Sequence, residues 1–194
     1  MSTAWLRIGS AAGVLLSSLA ATAANERYEI DGRHTRPVFA VKHLGFSTQH
    51  GRFNDVRGTI DYDAETGMAS IDVTIEAASI DMGADDWDEH MRGPDFFDVA
   101  AYPTLIFRAD NVVLGESDAS RVAGRLALLG VVRPVELEVS AIHCGLEVST
   151  KRHKCGADIT ATIRRSEWGL KKYVPFVADE VRLTIPVEAY RAER

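Results

Sequence analysis

The sequence predicts an all-β protein, an eight-stranded antiparallel β-barrel with one short helix. Three observations lead there. Apolar and polar residues alternate with period two along most of the chain, as half-buried strands require. Turn sequences such as DAETG, GESDAS and GVVRP separate these segments, and their short spacing favours hairpins. Eight strands with one apolar face each can close on themselves, which removes exposed edges. Such a barrel is wide enough to hold one small ligand. A two-sheet sandwich is the rival arrangement.

Residues 36–43 form the first strand, in which Phe39, Val41 and His43 share a face. GFSTQHG then reads as a loop containing His50, and residues 52–63, beginning with Phe53, form the second strand. SIDVTIEAASI places Ile71, Val73 and Ile75 on one side; TLIFRAD does the same for Leu105, Phe107 and Ala109. RVAGRLALLG groups Val122, Gly124, Leu126 and Leu128, and VELEVSA groups Val135, Leu137, Val139 and Ala141. ADITATIRR aligns Ala157, Ile159, Ala161, Ile163 and Arg165; EVRLTIPVEAY aligns Val181, Leu183, Ile185 and Val187. Gly51 and Gly58 fit places where the backbone bends or approaches a neighbour closely.

Residues 79–103 break the alternation. GADDWDEHMRG suits a helix from about Ala84 to Arg92, acidic at its start as the helix dipole prefers. GPDFFDVAAYP follows as a loop with Phe96 and Phe97 adjacent. The segment is long for a plain connection and is expected to plug or cap one end of the barrel.

Residues 1–24 read as a secretory signal peptide: Arg7, an apolar core at GVLLSSLAA, and Ala21-Thr22-Ala23 as the cleavage pattern. A membrane anchor is the alternative, but the run is short and rich in Ala, Ser and Gly. Residues 25–194 then form one domain, exported to the periplasm. The net charge of −6 becomes −7 without Arg7, which argues against nucleic acid and against a polybasic membrane anchor.

Export places Cys144 and Cys155 in an oxidising compartment, so a disulfide across the polar STKRHK connection is expected. The rival is a soft-metal site of His143, Cys144, His153 and Cys155, although its spacing is unlike that of zinc ligand pairs. No nucleophile elbow, phosphate loop, Rossmann glycine pattern or zinc-protease motif occurs, so neither a catalytic residue nor a cofactor is expected. The acidic residues of 85–89 read as a solvated helix face. His34, His43 and His50 are the remaining candidates for metal or redox chemistry; His43 fits equally as a hydrogen-bonded wall or rim residue. Arg165 continues an apolar face, so it needs a carboxylate (Asp31, Glu167 or Asp179) or an anionic lipid head.

Four ordered stretches carry a resemblance: FAVKHLGFSTQHGRFNDVRGTIDYD, IEAASIDMGADDWDEHMRGPDFFDVAAYPTLIFRA, GRLALLGVVRPVEL and CGADITATIRRSEWGL. The chain resembles the YceI-like family of bacterial secreted lipid-binding proteins. Val132 stands where that family commonly has threonine, and Glu167-Trp168 where Asp-Phe is usual. The resemblance implies a lipocalin-like barrel with an apolar tunnel for a long isoprenoid, quinone-type or other amphiphilic lipid. It also implies no shared catalytic set, and for some relatives a cytochrome b561-type membrane partner; a homodimer is left open. On this reading the tunnel is lined by Phe39, Val41, His43, Phe53, Ile71, Val73, Phe97, Leu105, Phe107, Leu126, Leu128, Ile159, Ile163 and Leu183. Arg165, Trp168, Tyr173 and Phe176 border its opening.

Overall fold

The computed structural model describes residues 25–115 and 119–193. The expected signal peptide lies outside the described residues, as does part of the GESDAS turn. The strands are β1 (Glu26–Ile30), β2 (Val38–His43), β3 (Ser47–Phe53), β4 (Val56–Asp63), β5 (Met68–Glu76) and β6 (Ile80–Asp81). After helix α1 (Asp85–Arg92) come β7 (Thr104–Val113), β8 (Ser120–Leu128), β9 (Val131–Val139), β10 (His143–Leu146), β11 (His153–Arg164) and β12 (Val177–Arg191).

These segments fill eight positions of a closed antiparallel barrel. β1 and β2 share one position, both paired with β12; β4 and β3 share the next, and β5 and β6 the third. β7, β8, β9, β11 and β12 complete the ring, and β11 closes it along eleven residue pairs with β12. Parity flips at each break, from Ile30 to Phe39 and Val41 and from Phe53 to Val56 and Ile60, so apolar side chains point inward on both sides of it.

The breaks are where the sequence reading needs correction. The predicted second strand is two strands, parted at Asn54 and Asp55, and the first of them begins at Ser47. His50 is therefore in β3, opposite Ala40, and not in a loop; the turn is only Leu44 to Phe46. Alternation across STQHGRF was hidden because its inner positions are Gln49 and Gly51. β1 and β10 were too short to read: β1 offers only Tyr28 and Ile30, and every residue of β10 is exposed.

Gly51 and Gly58 answer to close approach. A side chain on Gly51 would collide with the Phe39 ring and the Met82 sulfur, both 2.4 Å from the Cβ position. One on Gly58 would meet the Asp72 carbonyl oxygen at 2.4 Å. The expected helix is present, with Ala84 as its N-cap. Asp88 accepts from the Met82 amide at 2.6 Å, and Arg92 donates to the Ala78 and Ile80 carbonyls, which fixes the helix to β6.

Candidate functional site

The barrel encloses a cavity of about 540 Å³, within the range of roughly 300–1,000 Å³ usual for small-molecule sites. Its wall is built by strand parity. Phe39, Val41 and His43 come from β2, Gln49 and Phe53 from β3, and Ile71, Val73 and Ile75 from β5. Leu105 and Phe107 come from β7, Leu126 and Leu128 from β8, Ile159 and Ile163 from β11, and Leu183 and Ile185 from β12. At one end Tyr28, Ala69, Ala109 and Ala189 are buried without lining the cavity, and they form its floor. At the other end Trp87, His90, Met91, Phe96 and Phe97 form a cap over part of the mouth. Phe97 meets Phe53 edge-on with centroids 5.4 Å apart, which seats the cap on the wall.

Polar lining is concentrated at the mouth, in His43, Gln49, His90, Tyr173 and Arg165. Thr35 also lines the cavity, but its hydroxyl is engaged with the Glu188 backbone at 3.0 and 3.2 Å. Mid-barrel the surface is valine, isoleucine, leucine and phenylalanine. Such a surface offers burial and no reacting group.

Sixteen of the eighteen predicted site residues line this cavity. Trp168 and Phe176 do not. The alternation that located the wall stops at Arg164, where a 3₁₀ turn over Arg165–Trp168 begins. That turn buries the Trp168 ring in the core, where its indole N–H donates to the Leu126 carbonyl at 3.0 Å. Phe176 lies just before β12 and is exposed to solvent. The cap residues Trp87, His90 and Met91 were missed, yet their i, i+3, i+4 spacing marks one helix face.

Among the described residues Arg165 has no hydrogen bond to any of the carboxylates expected for it. Its guanidinium makes four hydrogen bonds to backbone carbonyls, two in the following loop and two at the start of β12: Nη1 to Leu170 at 2.7 Å, and Nη2 to Lys172 and Val177 and Nε to Ala178 at 2.9 Å. Asp179 instead accepts from the Ser166 amide and hydroxyl, each at 2.8 Å, and from Arg164 at 3.2 Å. Burial pushes the guanidinium down from its ordinary value, and the charge of Asp179 opposes that shift. Arg165 is thus a staple that holds the 170–178 loop against the mouth.

The histidines do not converge. His43 faces the mouth, whereas His50 is exposed and absent from the cavity lining. His34 meets Asp31 and Glu188 in a cluster of metal-binding dimensions. There the Lys154 ammonium already lies 2.9 Å from Asp31 and 2.5 Å from Glu188. Burial alone would raise the Asp31 carboxyl, but hydrogen bonds from His34 and Lys154 hold it down at about 2. Cys144 and Cys155 are a disulfide between directly paired residues of β10 and β11, so their thiolates are not available as ligands. The bridge spans the STKRHK connection, and Cys144 lies on β10, a short strand the alternation did not reveal.

A closed antiparallel barrel around an apolar cavity defines the class: a lipocalin-like barrel. A YceI-like domain matches residues 28–189, and the chain belongs to that family. It is 32% identical over 187 residues to a UPF0312 protein of Pseudomonas aeruginosa, covering 96% of this chain and 95% of the relative. It is 31% identical over 178 residues to protein YceI of Escherichia coli, covering 91% and 92%. Among solved structures, BcnA of Burkholderia cenocepacia superposes with a TM-score of 0.69 at 22% identity, over 82% of this chain and 98% of the other. A polyisoprenoid binding domain from Saccharophagus degradans superposes with a TM-score of 0.64 at 16% identity, over 85% and 98%. At those identities both superpositions speak for the fold.

Proposed function

We propose that this protein is a periplasmic carrier or sequestering protein that holds a long-chain isoprenoid, quinone-type or similar amphiphilic lipid in the barrel. The observation that carries the reading is the blind apolar cavity with its polar groups gathered at the mouth. Each CH₂ moved from water into such a wall gains about 0.8 kcal/mol, offset in part by ordering the flexible chain. The tail lies along the barrel and the polar head stays among His43, Gln49, His90 and Tyr173. The polyisoprenoid binding of the Saccharophagus degradans domain is consistent with this. No catalytic step is proposed. Handover to a membrane partner of cytochrome b561 type belongs to the same reading.

The test is organic extraction and mass spectrometry of protein purified from the periplasm without detergent, with Leu183→Trp as the blocked control. Leu183 lines the mid-barrel, so an indole there fills the tail's path. A stoichiometric amphiphile from the native chain, lost in the variant, is the expected result. A native chain free of lipid, or equal recovery from both, overturns the proposal.

A further inference from the structure

The mouth has two unlike halves. One is the acidic cap helix, on which Asp85, Asp86 and Glu89 are exposed. The other joins two loops: the β2–β3 turn and the loop before β12, linked where the Leu44 amide donates to the Phe176 carbonyl at 2.9 Å. On this half Phe46 is 89% exposed and Phe176 73%, and Leu44, Tyr173 and Val174 are exposed beside them. Scattered apolar side chains on a surface need no explanation, but a group of five on two bonded loops at the lip of an apolar cavity does. Nor is the loop before β12 held loosely, because Arg165 fixes two of its carbonyls and two at the start of β12. The fold thus buries a cation to keep these apolar residues presented to solvent.

The charge on these segments identifies the partner. Residues 38–53 and 169–178 contain Lys42, Arg52, Lys171 and Lys172 and no carboxylate, in a chain whose net charge is −6. Arg52 and Lys172 are paired with Asp81 and Asp95. Lys42 and Lys171 are exposed and have no ion pair among the described residues. Aromatic side chains flanked by unpaired lysines match the two layers of an anionic bilayer surface, the acyl boundary and the head groups.

We propose that this half of the mouth docks on an anionic lipid bilayer. Phe46 and Phe176 enter the interface, Lys42 and Lys171 rest on head groups, and the acidic helix tilts away. The proposal rests on the carrier reading and supplies its missing step: an amphiphile passes between bilayer and cavity without crossing water.

Flotation of the mature chain with vesicles of phosphatidylethanolamine and phosphatidylglycerol, against phosphatidylcholine alone, tests it. Binding to the anionic vesicles that weakens with added salt is expected. Phe46→Ser with Phe176→Ser should lower it at least about tenfold, since apolar insertion and charge act together. Lys42→Glu with Lys171→Glu should remove the preference for anionic vesicles. Leu146→Ser with Val148→Ser, equally exposed at the far end of the barrel, should change nothing. Lack of vesicle binding by the native chain overturns the proposal, as does equal loss in the far-end control. So does a concentration-dependent dimer, seen by sedimentation, that the phenylalanine variants abolish while vesicle binding is absent. The blocked Leu183→Trp chain separates this proposal from the carrier reading, because it should still float with vesicles while carrying no lipid.

Discussion

The two ends of the barrel are built on opposite principles. The floor is cross-linked: the Cys144–Cys155 disulfide joins β10 to β11, and Lys154 gathers Asp31, Glu147 and Glu188 on the same part of the barrel. Tyr28 closes the floor from within and donates to Glu26 at 2.6 Å. The mouth carries smaller groups instead, Arg52 with Asp81 and Arg92 with Asp88 and Glu89. It is held by one staple, Arg165, and by the Lys172–Asp95 pair and the Phe96–Tyr173 ring contact between loop and cap. The difference teaches that closure and access are separable. Damage to the floor should cost stability and spare ligand; damage to the mouth should affect both.

Arg165→Leu is the largest test of that division. It leaves four backbone carbonyls, two in the loop and two in β12, without their donor, and buried unpaired polar groups cost about 1–3 kcal/mol each. Some will find water, so a loss of about 4 kcal/mol is expected in denaturant unfolding. Because four of the five guanidinium N–H groups are already given to backbone carbonyls, lipids with one tail but neutral or phosphate heads should weaken alike. A selective loss of the phosphate lipid would restore the head-group clamp that the sequence suggested.

Cys144→Ser with Cys155→Ser probes the other end. The bridge closes a loop with a sequence separation of 11, for which the chain-entropy model gives about 3 kcal/mol. The midpoint of thermal unfolding should fall while the extracted lipid is retained. Lipid loss in the still-folded variant would show that the floor also shapes the cavity.

How much of this was legible follows from which residues carry the signal. Period two located the wall because Ile71, Val73, Leu105, Phe107, Ile159, Ile163 and Leu183 lie in uninterrupted strands. It failed at β3, where the inward positions include Gln49 and Gly51, and at β1 and β10, which are too short to show a period. Arg165 was legible as an inward cation, but its partners were not. Backbone carbonyls of a later loop leave no trace in residue type, so carboxylates were sought instead. Trp168 was assigned by proximity to that loop, and a 3₁₀ turn, invisible to alternation, carries it into the core; Phe176 lies just before β12 with its ring exposed to solvent.

Acidification should act at both ends, since Asp81 beside the cap is held at about 2 by hydrogen bonds from Asn54 and Arg52, and the floor has two such carboxylates. The Asp31 carboxyl has an ordinary value of 3.8 and lies at about 2 in the fold. Glu147 is likewise held at about 2, chiefly by hydrogen bonds from Thr150 and Tyr190. Both values are depressed, so their stabilisation is fully present above the unfolded values and is lost as pH falls towards 2. Unfolding free energy should therefore drop between about pH 4 and pH 2. Lys154→Met should flatten that drop, since it removes the cation that both carboxylates share. An unchanged acid limb in Lys154→Met would place the acid sensitivity elsewhere.

The smallest expected effect is at Trp168. The indole is 2% exposed and makes one hydrogen bond, to Leu126. Trp168→Phe removes that bond and leaves a small void, together about 1–2 kcal/mol. The Leu126 carbonyl lies in the β8 backbone, while the Leu126 side chain lines the cavity. The bond thus supports the wall from behind without forming part of it. Lipid content should match that of the native chain, and thermal unfolding should shift by a few degrees. A loss of lipid out of proportion to the loss of stability would mean that the tryptophan sets the position of β8 within the wall, and that the mouth and the mid-barrel are mechanically one region.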